Sequence, residues 1–232
     1  MSSLSITWFG HATFAIGTPG GRRIVFDPWL TGNPKAPAGA KIDKADVIFV
    51  THGHSDHTTD VVPVARATGA SVVAVFELAN WFQSKGLKDV IGMGVGGTVD
   101  VKGLKVSMTP AVHTSSIEED GKVHYVGLAT GFVVKMEDGR SIYFAGDTAL
   151  FGDMTLIRDM YQPEIAFLPI GDHYTMDPIA AAKACQLLGV RQVVPMHYGT
   201  FPALVGTPEA LKKLVEPMGV DVLVLKPGET AQ

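Results

Sequence analysis

The sequence has a single cysteine, Cys185, among 232 residues. No disulfide can form within the chain, and this usage fits a cytoplasmic location. Cys185 lies in "PIAAAKACQLLG", where helical spacing makes it a small buried apolar residue rather than a nucleophile. No apolar run approaches the roughly 18–20 residues that a membrane helix needs, so no membrane span is expected. The opening "MSSLSITWFGHATF" lacks the basic region, apolar stretch and cleavage site of a secretory signal. Basic runs are also missing, and the formal net charge is −4. A nucleic-acid partner would need a Lys/Arg field, so a small-molecule substrate is expected instead. Homo-oligomerisation is left open.

What is present is a chain that is 46% hydrophobic, with no change in composition along its length. Residues 1–232 therefore read as one domain with a substantial core. Strand-like and helix-like segments alternate. "LSITWFGHATFAIGT" and "RRIVFD" read as an N-terminal hairpin joined by "PGG", and "DVIFV" as a buried strand. Helices are expected over 58–68, where Pro63 delays or kinks the start, in "ELANWFQSKG", near 153–160, and over 178–188 and 208–216. Asp177-Pro178 before the fourth of these and Gly189 after it are start and stop signals. The intervening apolar runs, ending with "VDVLVL", read as strands, which gives a layered α/β protein with two sheets. Two connections are long: 28–45, rich in Pro, Gly and Ala, and the polar 113–122.

"THGHSDH" (51–57) holds three of the eight histidines. On an extended segment His52 and His54 project to one face, while Asp56 and His57 come where the chain turns toward a helix. Adjacent Asp56 and His57 cannot both share the face of His52 and His54. Two metal ions, each taking two of these ligands, fit better than one, and each then needs at least one further protein ligand. His113 after "VSMTPAV", Asp147 after "SIYFAG" and His197 after "VVPM" all stand just beyond apparent strands, as the cluster does. Ligands at strand ends can converge at one sheet edge. Imidazole suits zinc, manganese or iron, and an aspartate can bridge two ions. Two divalent ions, zinc by preference with Mn or Fe as alternatives, could hold a bridging hydroxide near neutral pH as the nucleophile.

These motifs, with "WFGHATF", "FDPWLTGNP" and "VVPMHYGTFP", resemble the metallo-β-lactamase-fold metal-dependent hydrolases over essentially the whole chain. They look most like a branch related to ascorbate-6-phosphate lactonases and to the phospholipase-D-type enzymes of this fold. The resemblance implies a four-layer αββα sandwich. It places His52, His54 and His113 on the first metal and Asp56, His57 and His197 on the second, with Asp147 bridging. Asp27 in "IVFDPWL" matches a position that supports a ligand histidine from behind; the competing reading is a turn residue before Pro28. Asp147 argues against the β-lactamases proper, and His54 stands where diiron flavoproteins of the fold carry Glu. The expected function is dinuclear hydrolysis of a small ester, lactone or phosphorylated substrate. A phosphodiesterase of the phospholipase-D type is the alternative, and a non-catalytic metal- or ligand-binding protein the rival from another class.

Four weaker features remain. His11, placed in the first strand, could contact substrate or donate a proton, against a purely structural hydrogen bond. His173 in "LPIGDHYTMDP" could line the site as a general acid, and His124 reads as solvated. "GMGVGG" (92–97) matches a dinucleotide-binding glycine pattern, but strands rather than a helix follow it, so a turn is expected.

Overall fold

The computed structural model describes residues 3–232. Three short antiparallel strands open it: β1 (Ser5–Trp8), β2 (Phe14–Gly17) and β3 (Arg23–Phe26). The expected N-terminal hairpin is thus a three-stranded meander, because the chain breaks at Gly10, whose φ of +99° lets it turn back between Trp8 and Phe14. His11 lies in that turn, not in a strand. The segment 28–45 carries no helix or strand. Parallel strands β4 (Val47–Phe49), β5 (Ser71–Val75) and β6 (Val90–Met93) follow, interleaved with helices α1 (Ser55–Thr58), α2 (Val61–Thr68) and α3 (Phe76–Ser84). Pro63 sits in the first turn of α2, where its missing N–H costs nothing.

The second sheet begins with β7 (Thr98–Val101) and β8 (Leu104–Pro110). Residues 92–97 form the end of β6 and a turn into β7, as expected. The polar 113–122 connection is not an open loop: most of it folds into a separate hairpin of β9 (Ser116–Glu119) and β10 (Lys122–Tyr125). The chain returns through β11 (Thr130–Lys135), β12 (Ser141–Phe144), α4 (Met154–Tyr161), β13 (Ile165–Pro169), α5 (Pro178–Leu188), β14 (Gln192–Met196) and α6 (Pro208–Val215). "VDVLVL" supplies only β15 (Asp221–Val222), and β16 (Thr230–Ala231) pairs with β1. The sheet orders are β16-β1-β2-β3-β4-β5-β6 and β15-β14-β13-β12-β11-β8-β7. The helix over 178–188 has the expected bounds: Asp177 Oδ1 accepts from Ala180 N at 2.7 Å, and Gly189 closes it at φ +64°.

The sheets meet face to face through phenylalanine rings. Phe26 stacks on Phe144 at 4.2 Å, Phe14 meets Phe167 edge-on at 5.0 Å, and Phe49 lies 5.2 Å from Phe132. Such pairs contribute about 0.5–1.5 kcal/mol each beyond burial. Strand alternation sorts the other face: Ile142 and Phe144 point into this core, while Tyr143 and Ala145 pack under α4 and α5. With both faces of the sheets covered, the strands read as continuous apolar runs. The result is the αββα sandwich. No helix among the described residues is long and apolar enough to cross a membrane.

Candidate metal centre

Pairing directions decide where the chemistry collects. β1, β3 and β4 run the same way in the first sheet, and β8, β12, β13 and β14 run the same way in the second. His11, Asp27, the 52–57 cluster, His113, Asp147 and His197 each follow the C-terminal end of one of these strands. Six connections thus converge on one edge of the sandwich, the usual place for α/β sites.

Two groups of ligand-type atoms form there, His52, His54 and His113 in one and His11, Asp56, His57 and His197 in the other, and a third, His52, His57 and Asp147, joins them. Asp147 Oδ2 lies between them, 3.0 Å from His197 Nε2, 3.4 Å from His57 Nε2, 3.7 Å from His113 Nε2 and 3.9 Å from His52 Nε2. The sequence-predicted ligands are all brought together. His11 joins the second group through its Nε2, 3.0 Å from Asp56 Oδ2.

Hydrogen bonding orients two imidazoles and fixes the tautomer of one. Asp27 Oδ1 accepts from Thr51 N at 2.8 Å, and its Oδ2 accepts from Thr51 Oγ1 at 2.7 Å and His57 Nδ1 at 2.8 Å. The Thr51 hydroxyl has spent its one proton on Asp27, so it accepts from His52 Nδ1–H at 3.0 Å. His52 therefore turns an unprotonated Nε2 into the site, and His57, held at Nδ1 by Asp27, turns its Nε2 there. His52 Nε2 faces His54 Nδ1 at 3.0 Å, which in turn faces His113 Nε2 at 3.3 Å. One proton can serve only one of these contacts, and the other lone pairs are left opposed. A cation satisfies all three, and imidazole nitrogens held tetrahedrally by zinc lie about 3.3 Å apart. His57 Nε2 and Asp147 Oδ1 are buried without a hydrogen bond among the described residues. This donor set fits metal.

Electrostatics agree. Burial, then the neighbouring imidazoles, lowers His52 well below the ordinary histidine value, and burial likewise lowers His54 and His113. Burial and the charge of His197 bring His11 down to about 4. Burial opposes the charged forms of Asp56 and Asp147, but the surrounding histidines hold both below the usual carboxylate range. His57 goes the other way: its burial is outweighed by Asp147, Asp56 and Asp27, which raise it.

The backbone is shaped for these contacts. His11, Asp27 and His197 sit at φ +55°, +43° and +56°, a region that non-glycine residues rarely enter. Gly53 is needed for space: a Cβ there would collide with Val126 and with the Ser116 carbonyl.

The centre opens into a cavity of about 520 Å³ lined by His54, Asp56, His113 and His197 together with Tyr174 and Phe201. His173 is not brought to it. Asp172 and His173 both take left-handed backbone, and the tight turn they form puts Tyr174 at the cavity while His173 stays exposed, edge-on to the Tyr174 ring at 4.4 Å. Sequence reading missed Tyr174, Phe201, Thr51 and Thr200, the last of which touches His11 Nδ1 at 2.9 Å. Their only signal is proximity to the motifs, in "DHYTMDP", "THGHSDH" and "HYGTFP".

Comparison with known proteins places the chain in a family. The beta-lactamase superfamily domain matches residues 22–198. The chain belongs to that superfamily. Two relatives described as UPF0173 metal-dependent hydrolases are close to it. The one from Solibacter usitatus is 48% identical, covering 99% of this chain and 100% of its own. That from Rubrobacter xylanophilus is 52% identical, covering 97% and 94%. Among solved structures, Igni18, a metallo hydrolase from Ignicoccus hospitalis, superposes with a TM-score of 0.88 at 37% identity, covering 99% of this chain and 98% of that one. This superfamily member is a metal-dependent hydrolase.

Proposed function

We propose that the protein is a dinuclear hydrolase of a small ester, lactone or phosphorylated substrate, with zinc as its resident ion and manganese or iron as substitutes. The observation that carries this is Asp147 Oδ2, which lies within 3.9 Å of imidazole nitrogens from both ligand groups. In this reading His52, His54 and His113 hold one ion, Asp56, His57 and His197 the other, and Asp147 both. When bound, such ions polarise a carbonyl or phosphoryl oxygen and lower the pKa of water to about 7.

The chain's own groups do the rest. Asp27 orients His57 by accepting its Nδ1 proton, and Thr51 orients His52. His11 holds Asp56 at one carboxylate oxygen. Phe201 and Tyr174 line the cavity, and in this reading the Tyr174 hydroxyl takes the leaving-group-acid part that His173 was expected to play. A phosphodiester is the second substrate reading, favoured by the open cavity and by a second groove that leads from it.

The test is elemental analysis of protein purified without added metal, with hydrolysis of a generic phosphodiester and a generic lactone. About two equivalents of transition metal with chelator-sensitive turnover are expected. No bound metal, and no activity on adding zinc, manganese or iron, would overturn the proposal.

A further inference from the structure

A cavity of about 760 Å³ opens beside the metal cavity and shares His54, Ser55 and Asp56 with it. Its floor is Val62 of α2 with Trp81 and Phe82 of α3, and its roof is Ile117 and Val123 of the β9–β10 hairpin. This volume is in the range of small-molecule pockets.

The roof is tied down at both ends. At its base, Gly53 N donates to Ser115 Oγ at 3.1 Å, and Gly53 packs too closely on Ser116 and Val126 to admit a side chain. The hairpin therefore stands directly on the loop that carries His52 and His54. At its turn, Glu119 takes both of its contacts from Lys85 Nζ, at 2.6 and 2.7 Å. The same ammonium lies 4.0 Å from the Trp81 ring centre, and the His124 ring packs 5.4 Å from that ring. His124 is thus half-buried on Trp81 rather than solvated.

Charge narrows the occupant. Two basic residues, Arg66 and Lys85, face three acidic ones, Asp56, Glu118 and Glu119, and Lys85 is neutralised by Glu119. No field of one sign is offered to a polyanion. What the groove does offer is apolar surface, including a Val123 that is 74% exposed on an otherwise polar hairpin strand.

We propose that this groove binds an uncharged apolar arm, alkyl or aryl, of a substrate whose scissile group lies in the metal cavity. The substrate class is then amphipathic: a polar ester or phosphoryl head with an apolar tail laid between α3 and the hairpin. The identity of the scissile end rests on the hydrolase reading above; the groove's preference for the tail does not.

The experiment is titration of the metal-loaded protein with 1-alkanols from butanol to octanol, read by tryptophan fluorescence and by calorimetry. Trp8 and Trp29 are 4% and 7% exposed, so the fluorescence response comes from the half-buried Trp81 and disappears in Trp81→Phe. Affinity should rise by up to about fourfold per added methylene. Val123→Asp, at an exposed position that leaves the fold intact, should flatten that rise and weaken octanol at least about tenfold. Octanol binding no better than butanol, or Val123→Asp binding like the wild type, would overturn the proposal. Persistence of the alkanol series in a protein with no hydrolytic activity would sink the hydrolase reading and leave the groove standing. Turnover without the series would do the reverse.

Discussion

Asp27 accepts the Nδ1 proton of His57 at 2.8 Å, and both side chains are fully buried. Burial drives the Asp27 carboxyl upward, and the hydrogen bonds from His57 and Thr51 work against it. Their geometry turns His57 Nε2 toward Asp147 Oδ2, 3.4 Å away. Asp27→Asn presents an amide donor in place of an acceptor and favours the wrong imidazole tautomer. Loss of metal affinity by about 10–100-fold is expected in calorimetric zinc titration. Unchanged affinity would remove Asp27 from the site.

His11 bridges Thr200 and Asp56 from a buried turn. His11→Ala should free the Asp56 carboxylate and weaken the second ion by about tenfold or more, while the first remains. Competitive chelator titration separates the two ions. Equal weakening of both would show a folding defect rather than a local role.

Asp147 carries the dinuclear reading. Asp147→Asn should lower metal content from about two equivalents to about one and abolish most hydrolysis with it. Full activity with two ions bound would end its bridging role.

The metal-free protein should lose stability on acidification. His11, brought down to about 4, stays neutral in the fold where the unfolded chain, with a pKa of about 6.5, takes a proton. Unfolding is thus favoured progressively as pH falls from about 6.5 toward 4, and the lowered His52, His54 and His113 act in the same direction. His57 opposes them: its raised value stabilises the fold below its unfolded pKa, and that contribution is lost as pH rises through the raised value. Asp56 and Asp147, both depressed, stabilise above the unfolded carboxylate pKa and lose that contribution as pH falls further. Thermal melts from pH 4 to 9 should show a falling Tm below about pH 6.5. A Tm that rises on acidification would contradict the net balance.

Tyr174 and His173 are separable. His173→Ala should leave kcat/KM within about twofold, since its ring is exposed and outside the cavity, and Tyr174→Phe should lower kcat by about 10–100-fold if its hydroxyl serves the leaving group. Leaving groups of low pKa should restore the Tyr174→Phe rate. The opposite ranking of the two variants would return the role to His173.

Much of this site was legible in the chain itself. His52, His54, Asp56, His57, His113, Asp147 and His197 each announce themselves by following an apolar run, and the helix over 178–188 by its Asp177, Pro178 and Gly189 signals. These are short-range features, set by periodicity and by capping within a few residues. The rest depended on chain segments that meet only in the fold. His11 reaches Thr200 across 189 positions and Asp56 across 45. The left-handed backbone at His11, Asp27, His173 and His197 has no glycine to mark it. The 116–125 hairpin forms from polar residues that carry no strong alternation, held by Gly53 and Lys85 rather than by its own pattern. Local sequence determined which side chains end each strand. Only the pairing directions of the two sheets brought those ends to one edge, because long-range strand register is set by packing of the shared core and not by any window of neighbouring residues.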